Sequence, residues 1–260
     1  MQAPLTIKQY VSQMRKIPGE RFTMGRTYEI KEEDDLVSYE YEVPANAVDI
    51  SLFRMGTTPV TVGMWREYVR DNESLSMPKV PDWDWIDDHP IVNVTWDDIS
   101  SYSRWASRVS RVKLILPTEA QWEYAAKGGQ TTSMFPWGNR WDNSKLWSSN
   151  GEIRTRTAPV VRTKNIYVNP YGLTDMSGNV WEWCFDAFKK YSANKRDRLG
   201  YPHVIADPKV EPDLFIDPPR VVRGGGWDNN SSGCFRCANR FCFQRHISIH
   251  ALGFRLSAPA

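Results

Sequence analysis

The sequence is poor in the features that define several common protein classes. It has only four cysteines and four histidines in 260 residues. Four cysteines are too few for a disulfide scaffold, and they leave the redox compartment undetermined. No apolar run approaches the ~18 residues of a membrane span, and no signal peptide is visible. A leader that ends before Met1 would leave the same chain, so we expect any targeting segment to lie outside these residues.

The charge of the chain shows no strong excess of either sign. Its net charge is +2 at pH 7, which does not suit a polyanionic partner. The basic tract at 189–198 contains one aromatic residue, Tyr191, so it lacks the stacking side chains of a nucleic-acid arm. We therefore predict that this tract and the acidic run at 31–35 are loops, and that the protein has no nucleic-acid partner.

Aromatic residues, proline and glycine are plentiful. Aromatics make up 13% of the chain and include 12 tryptophans, beside 17 prolines and 16 glycines. Indole rings are large and need a partner for their N–H group, which favours cores assembled from loops and short elements. Frequent proline and glycine argue against a helical bundle. With 41% hydrophobic residues, the chain has enough apolar side chains for a substantial core.

Two stretches, 93–109 and 116–129, predict the main helices. In each, a threonine N-cap stands three residues before a side chain that can bond back to its backbone, and an apolar stripe follows. The second stretch ends in a Gly–Gly pair, which is typical of a helix C-terminus. The capping pairs are Thr95 with Asp98 and Thr118 with Gln121.

The rest of the pattern is made of short elements. Alternating apolar and polar residues predict a strand within 17–26, after a turn, and another at 48–60. The stretches 220–227 and 251–257 are predicted to be the last two strands. A helical stripe follows the second strand, at Val62, Trp65, Tyr68 and Val69. Between 129 and 220 few regular elements are evident, apart from a turn-rich connector at 171–183 that leads into a strand. The fold class is therefore α+β, loop-rich with two main helices.

Ordered motifs along the chain resemble those of a known family. They are IPGERFTMG, TPVTVGMWREY, VNVTWDDISSYSRW, LPTEAQWEYAAKGG, FPWGN, YGLTDMSGNVWEWC, RVVRGGGW and LGFRLS. Their order is similar to that in formylglycine-generating-enzyme-like (sulfatase-modifying-factor) domains, over about residues 15–257. The resemblance implies an elaborated C-type lectin-type fold with long ordered loops. We expect a lead-in at 1–14, then a single domain at 15–260 whose variable region is about 220–257.

The resemblance also raises the question of enzymatic activity. The oxidising members of the family bind copper(I) with two cysteines, because soft thiolates select that ion. By the family's spacing, Asn229 takes the place of the first cysteine, Cys234 that of the second, and Gly226 replaces the usual serine. Since one thiolate is missing, we expect that the chain is not an enzyme. A formylglycine-generating-type copper oxidase is kept as an alternative.

A second alternative is a zinc-binding protein. Cys234, Cys237, Cys242 and His246 have the spacing C-x2-C-x4-C-x3-H, which is close to that of a zinc knuckle. The other interpretation is that they are separate side chains, some buried and some presented, because a self-contained knuckle is usually glycine-rich and the motif CANR belongs to the backbone frame of the family.

Calcium is a third metal to consider, and it too is suggested by the resemblance. Some family members bind structural calcium at the segment that matches TDMSGNVWE. Carried over, the ligands are the side chains of Asp175 and Glu182 and the carbonyls of Gly178 and Val180, which suit a hard cation. The alternative is that Glu182 and Asn179 only bond loop backbone. We expect no other cofactor.

The segment FCFQRHISIHA, at 241–251, follows neither a strand period nor a helix period. One interpretation is a half-buried loop between strands. The other is a presented surface, since exposed phenylalanine and isoleucine are costly without a purpose. Aromatic anchors mixed with adaptable polar groups on a rigid scaffold are typical of a binding surface.

A subset of the family fits the second interpretation. The variable proteins of diversity-generating retroelements, treponemal ones in particular, keep a frame of the form RGGSW, CANR and GFR while mutagenesis at adenines changes the residues between. Changes at adenines alone can convert an asparagine codon into a codon for every residue type in 241–251 except glutamine, which occurs at Gln244. The frame residues that match are Gly224, Gly225, Asn239, Arg240, Gly253, Phe254 and Arg255.

This resemblance implies a surface-displayed ligand-binding protein whose C-terminal segment is diversified by a retroelement. We expect a monomer with an unknown protein or surface ligand as partner, located at the cell surface and lipid-anchored in the outer membrane. Two clusters, 228–235 and 241–250, are predicted to form the site. Its residues are Asn229, Ser231, Phe235, Phe241, Phe243, Gln244, His246, Ile247, Ile249 and His250.

Overall fold

The computed structural model describes residues 5–28, 39–130, 132–191 and 218–260. The predicted acidic loop at 31–35 and most of the basic tract at 189–198 lie outside these residues. The described part contains four α-helices, none of them long and apolar enough to cross a membrane. They are α1 (Ile7–Ser12), α2 (Val62–Arg70), α3 (Trp96–Ser110) and α4 (Glu119–Lys127).

Each helix begins after a threonine whose side chain caps it. In α3 the Thr95 hydroxyl accepts from the Asp98 N–H while Asp98 bonds back, and Thr118 and Gln121 do the same in α4. Helix α4 ends at Gly128 in the left-handed conformation, with φ of 59°. The two main helices are therefore those that the capping pairs predict.

Helix α1 was not predicted, because its stretch carries only a weak apolar stripe. A capping box between Thr6 and Gln9 starts it, and the side chains of Ile7 and Tyr10 are buried. The Tyr10 hydroxyl donates to the Thr58 carbonyl and accepts from the backbone N–H of Leu256. The residues taken as a lead-in therefore pack into the same core as the rest of the domain.

Three sheets are present in the described residues. The strands are β1 (Arg15–Ile17), β2 (Arg21–Met24), β3 (Asn46–Asp49), β4 (Phe53–Met55), β5 (Trp181–Ala187), β6 (Arg220–Arg223), β7 (Phe241–Phe243), β8 (Leu252–Gly253) and β9 (Ser257–Pro259). The sheet orders are β1-β4-β9, β2-β3 and β7-β6-β5-β8. In the last sheet β5 pairs antiparallel with β6 and parallel with β8, and β7 forms one edge.

Two predicted strands are divided in the structure. The stretch 48–60 falls into β3 and β4, which join different sheets, and 251–257 contributes to both β8 and β9. Alternation along the sequence shows which residues face inward, but the sheet that a strand joins depends on distant partners.

The core consists of two clusters that meet at the four-stranded sheet. In one, the Trp65 ring stacks on Tyr102 at 4.9 Å, and the Phe254 ring meets both edge-on. The other surrounds Trp122, whose side chain is fully buried. Burial of a large apolar side chain contributes roughly 1.5–3 kcal/mol. Strands β5 and β6 thus have a rigid base, and the C-terminal segment lies on it.

Candidate functional site

Two buried arginines hold the ends of the C-terminal segment. The guanidinium of Arg240 meets both carboxylate oxygens of Glu119, with Nε–Oε1 and Nη2–Oε2 distances of 2.7 Å. The guanidinium of Arg255 meets Glu182 in the same way, at 2.7 Å for each pair. All four side chains are buried. Bidentate pairs fix orientation as well as position, so the backbone enters and leaves the segment along set directions.

A third buried arginine joins Arg240 to helix α4. The Arg223 guanidinium bonds Glu119 and Glu123, and its Nη1 donates to the backbone carbonyls of Cys237 and Asn239. Burial alone would raise the pKa of Glu123, but Lys127 and Arg223 overcome it and lower that pKa. The chain before residue 240 is therefore held by charge-assisted bonds to α4.

Two glycines of the frame have backbone conformations that favour glycine. Gly224 and Gly225 have φ values of 98° and 75°. A Cβ on Gly225 would lie 2.5 Å from the Phe235 ring. The tight turn after β6 therefore depends on glycine for both its backbone conformation and its close packing.

Residues 241–250 alternate between exposed and half-buried side chains along nearly their whole length; we call them the presented segment. The exposed side chains are Phe241, Gln244, His246, Ser248 and His250. The half-buried ones are Cys242, Phe243, Arg245, Ile247 and Ile249. Only the first three residues are strand, and a turn closed by the Ile247 N–H to the Gln244 carbonyl (2.9 Å) follows. The segment therefore combines a short edge strand with a presented surface.

The N-terminal end of α3 holds this irregular backbone in place. The Trp96 N–H donates to the Arg245 carbonyl at 2.9 Å, and the Asn93 N–H to that of Ile249 at 3.2 Å. The Arg245 guanidinium lies 3.5 Å from the Asp97 carboxylate. When carbonyl groups of a loop accept hydrogen bonds from N–H groups at the start of a helix, the loop keeps a defined shape without regular secondary structure.

The half-buried side chains attach the segment to the core. Phe243 and Ile249 pack against the larger core cluster, and the Phe243 ring lies 6.3 Å from that of Trp183. The Phe241 ring lies 5.3 Å from that of Phe243 and is 39% exposed. Of the predicted aromatic pair, Phe241 is the one available to a ligand.

One end of the segment forms an aromatic corner with residues that sequence reasoning missed. The His250 ring lies 5.3 Å from the Trp227 ring and 6.3 Å from the Trp83 ring. The His250 Nε2 is 3.5 Å from a carboxylate oxygen of Asp228, a pair in which the histidine is charged only if protonated. Trp83 was not predicted, and Asp228 lies in the predicted cluster 228–235 but was not among the residues named for it. The stretch DWDW at 82–85 is unusually rich in tryptophan and acidic residues, and that composition is the signal for Trp83.

The first predicted cluster is only partly accessible. Asn229 and Ser231 are half-buried, and the Asn229 side chain accepts from the Gly226 N–H at 2.8 Å. Phe235 is fully buried, and its ring stacks on Trp141 at 5.6 Å. The prediction that Phe235 contacts a ligand is therefore corrected, because the short 3-10 helix Ser232–Phe235 turns its ring into the core.

The calcium ligands predicted by resemblance are already used by arginines. The Asp175 carboxylate meets the Arg162 guanidinium at 2.6 and 3.0 Å, and that of Glu182 is taken by Arg255 and the Trp122 indole N–H. The Gly178 and Val180 carbonyls therefore have no free carboxylate beside them. A dication would have to displace the buried guanidinium of Arg255 and the half-buried one of Arg162, so this donor set does not fit calcium.

The thiols are not assembled into a metal site. None of the four cysteines forms a disulfide, and in the described residues no group of three or more His, Cys, Asp or Glu side chains is placed to hold a metal ion. Cys234 and Cys237 are buried, whereas His246 of the predicted set points to solvent. The described residues therefore do not bring the four predicted zinc ligands together. A copper(I) pair is not matched either, because the Asn229 amide takes the place of the first of the two thiolates.

Comparison with known proteins identifies the family. The family model described as "Sulfatase-modifying factor enzyme 1-like domain" matches residues 3–259, so the chain belongs to this family. The formylglycine-generating enzyme of Bos taurus is 28% identical over 305 aligned positions, covering 95% of this chain and 75% of that protein. That of Streptomyces coelicolor is 34% identical over 187 positions, covering 66% of this chain and 53% of that protein. The chain thus spans about half the length of the latter.

Solved structures confirm the fold. The Treponema denticola variable protein 1 superposes with a TM-score of 0.69 at 22% identity, covering 95% of each chain. PvdO from Pseudomonas aeruginosa superposes with a TM-score of 0.72 at 21% identity, covering 95% of this chain and 94% of that one. Together with the family match, these confirm the predicted α+β class and the C-type lectin-type fold.

The same relatives correct one prediction. From the missing cysteine we expected that the chain is not an enzyme. Formylglycine-generating enzymes from Bos taurus and Streptomyces coelicolor match it over 95% and 66% of its length. These comparisons contradict that prediction, because the chain matches formylglycine-generating enzymes although one of the two cysteines is absent.

Proposed function

We propose that this protein binds a ligand through the presented segment, with Phe241, Gln244, His246 and His250 as the principal contact residues. One observation carries the proposal. Exposed aromatic and polar side chains alternate with half-buried ones along a segment whose two ends are held by buried, bidentate arginine–glutamate pairs. Such a surface loses little conformational freedom on binding, which favours affinity.

The side chains suit recognition of a protein or another surface ligand. Phe241 offers an aromatic anchor of the kind that dominates interface energetics. Gln244, His246 and His250 supply adaptable donors and acceptors. The half-buried Trp83, packed on the buried Trp227, extends the aromatic surface at one end. Asn229 and Ser231 lie at the border of the site, and the half-buried Phe243, Ile247 and Ile249 shape it from below.

The proposal includes diversification of these positions by a retroelement and display at the cell surface through a lipid anchor. The gene and its neighbourhood test the first part. A near-copy of the 3′ end that differs only at adenines, beside a reverse transcriptase gene, supports diversification. A genome without such a repeat contradicts it. Fractionation of source cells grown with and without a globomycin-type inhibitor of lipoprotein processing tests the anchor.

A library experiment tests the binding surface itself. One library randomises the exposed positions 241, 244, 246, 248 and 250, and the matched control randomises the half-buried positions 242, 243, 245, 247 and 249. We expect most members of the first library to fold and to yield binders against an arbitrary protein such as lysozyme, while the control mostly fails to fold. Equal loss of folding in both libraries would refute a presented surface.

Oxidation of a peptide cysteine to formylglycine is the second candidate function, and the named relatives favour it. Cys234 is the thiol at the family's position, and it is buried. Incubation with a cysteine peptide of sulfatase type, followed by mass spectrometry, tests this function. Formylglycine formed by the natural protein but not by Cys234→Ser supports it, and formylglycine from neither excludes it for that substrate.

A further inference from the structure

A groove separate from the presented segment lies along helix α3. It has a volume of about 450 Å³, within the range of roughly 300–1,000 Å³ that is common for small-molecule sites. Its floor is apolar, formed by Leu114, Leu116 and the half-buried rings of Trp96 and Phe185. The groove exists because α3 presents small serine side chains toward this floor. They are Ser100, Ser103 and Ser107.

The rim of the groove is positively charged. Arg104, Arg108 and Lys113 line it and are exposed. Among the residues that the structure describes, none of the three forms an ion pair with a carboxylate, and Arg104 donates only to the Ser101 hydroxyl, at 2.9 Å. Three cations at one edge of an apolar groove complement a ligand with an anionic head and an apolar body.

A buried hydroxyl in the groove gives independent support. Ser103 is 7% exposed, and its Oγ has no hydrogen-bond partner within the described ranges. Its neighbour Ser107, by contrast, donates to the Ser103 carbonyl at 2.7 Å and accepts from the Leu114 N–H at 2.9 Å. Buried polar groups are normally paired, so a single unpaired hydroxyl lining a groove points to a missing partner.

We propose that this groove binds a small amphipathic anion, of the class of an aliphatic carboxylate. The apolar body lies on Leu114, Leu116 and Phe185, and the anionic head lies between the three rim cations. The Ser103 hydroxyl, which lines the same groove, donates to an oxygen of that carboxylate head. This site is distinct from the presented segment, although Trp96 lines the groove and also bonds the Arg245 carbonyl.

Titration calorimetry of the full chain with decanoate, below its micelle concentration, tests the proposal. Decyltrimethylammonium, with the same tail and opposite charge, is the ligand control. The variant is Arg104→Ala with Arg108→Ala, and its matched control is Arg21→Ala with Arg70→Ala, which removes the same charge from exposed positions elsewhere. We expect decanoate to bind at least 10-fold more tightly than the cation, and the groove variant, unlike its control, to weaken decanoate at least 10-fold.

Ser103→Ala separates a ligand contact from a structural role. The expected result is a several-fold loss of decanoate affinity with no fall in Tm, because the hydroxyl has no hydrogen-bond partner among the described residues. His246→Ala should bind decanoate like the natural chain, so failure of the presented segment as a binding site would not affect this result. Equal affinity for the two amphiphiles, equal effects of the two double variants, or no decanoate binding would each overturn the proposal.

Discussion

The guanidinium of Arg240 meets both carboxylate oxygens of Glu119 at 2.7 Å, one residue before the exposed ring of Phe241. A fully buried charge pair therefore stands directly beside the proposed contact surface. Glu119 is the first residue of α4, where the helix dipole favours a negative charge. The position of the presented segment is thus tied to the start of a helix more than a hundred residues away in sequence.

Loss of the Glu119 charge is expected to destabilise the fold strongly. Glu119→Gln leaves Arg240 and Arg223 without their shared anion, and an uncompensated buried charge costs about 3–5 kcal/mol. Urea unfolding measures the change. The control is Glu152→Gln, which breaks the ion pair of an exposed carboxylate with Arg154 and should cost under about 1 kcal/mol. Similar losses in both variants would show that the buried pair does not hold the frame.

The presented and buried phenylalanines are expected to respond differently to truncation. Phe241→Ala should change the free energy of unfolding by less than about 1 kcal/mol, as exposed positions usually do. Phe235→Ala should cost about 3–5 kcal/mol, because it leaves a cavity beneath Trp141. Thermal and urea unfolding of the two variants provide the measurement. A costly Phe241→Ala would make that residue part of the core and remove the principal contact from the proposed site.

Gly225 is expected to resist substitution through both its conformation and its packing. Gly225→Ala places a Cβ 2.5 Å from the Phe235 ring at a φ of 75°. Gly138→Ala is the matched control, since its φ is also positive, at 119°, but a Cβ there meets nothing within 4 Å. We expect Gly225→Ala to lower the free energy of unfolding by about 1–3 kcal/mol more than the control. Equal losses would mean that only backbone strain matters.

Asp186 is expected to make the protein less stable as the pH rises. Burial, with help from the Glu119 carboxylate, raises the pKa of Asp186 to about 7. Between about pH 4 and pH 7 the folded chain holds a proton that the unfolded chain has lost, so stability falls by about 1.4 kcal/mol per pH unit. Asp186→Asn removes this slope while the side chain can still accept from the Glu119 N–H. Urea unfolding at pH 5 to 8 gives the comparison, and identical slopes in both proteins would refute it.

His89 is expected to act in the opposite direction. Burial lowers the pKa of His89 to about 4, and its ring nitrogen lies 2.9 Å from the Thr157 hydroxyl. Between about pH 6.5 and pH 4 the unfolded chain binds a proton that the folded chain excludes, so stability falls as the pH falls. In His89→Gln this loss of stability between about pH 6.5 and pH 4 should be absent. Urea unfolding over the window of about pH 4 to 7 measures it, and a variant that keeps the full acid-side loss would contradict the assignment to His89.

Calcium is expected to leave the stability of the protein unchanged. Asp175 and Glu182 are held by Arg162 and Arg255, so no free carboxylate is left for the ion. Thermal unfolding in millimolar calcium and in chelator should give the same Tm. A rise with calcium, abolished by Asp175→Asn, would mean that the ion displaces Arg162 and that the predicted ligand set is correct.

Much of the fold follows from local sequence features. The threonine caps before α3 and α4 and the glycine that ends α4 act within one or two turns, so short stretches reveal them. The C-terminal frame was also recognisable, since the turn after β6 requires glycine at positive φ. Helix α1 could not be predicted in the same way, because its stability comes from the burial of Ile7 and Tyr10 against distant residues.

The candidate site shows where local reasoning ends. The presented segment stands out in the sequence because its residue types follow no regular period. The structure shows which of its side chains are exposed and which are half-buried. Trp83 reaches the site from a loop that lies far away along the chain, and Phe235 leaves it for the core. Neither placement has a signal within a short window, because each is decided by contacts between distant parts of the chain.

The sequence by itself determined the family, the capped helices and the boundaries of the presented segment, because these depend on residue identity and short spacing. Only the tertiary structure decided which side chains are exposed and which carboxylates are already paired. Asp175 and Glu182 look like metal ligands in sequence, yet each faces a guanidinium supplied by another part of the chain. Burial and charge pairing are properties of three-dimensional neighbours, and the long-range packing of this loop-rich core selects those neighbours.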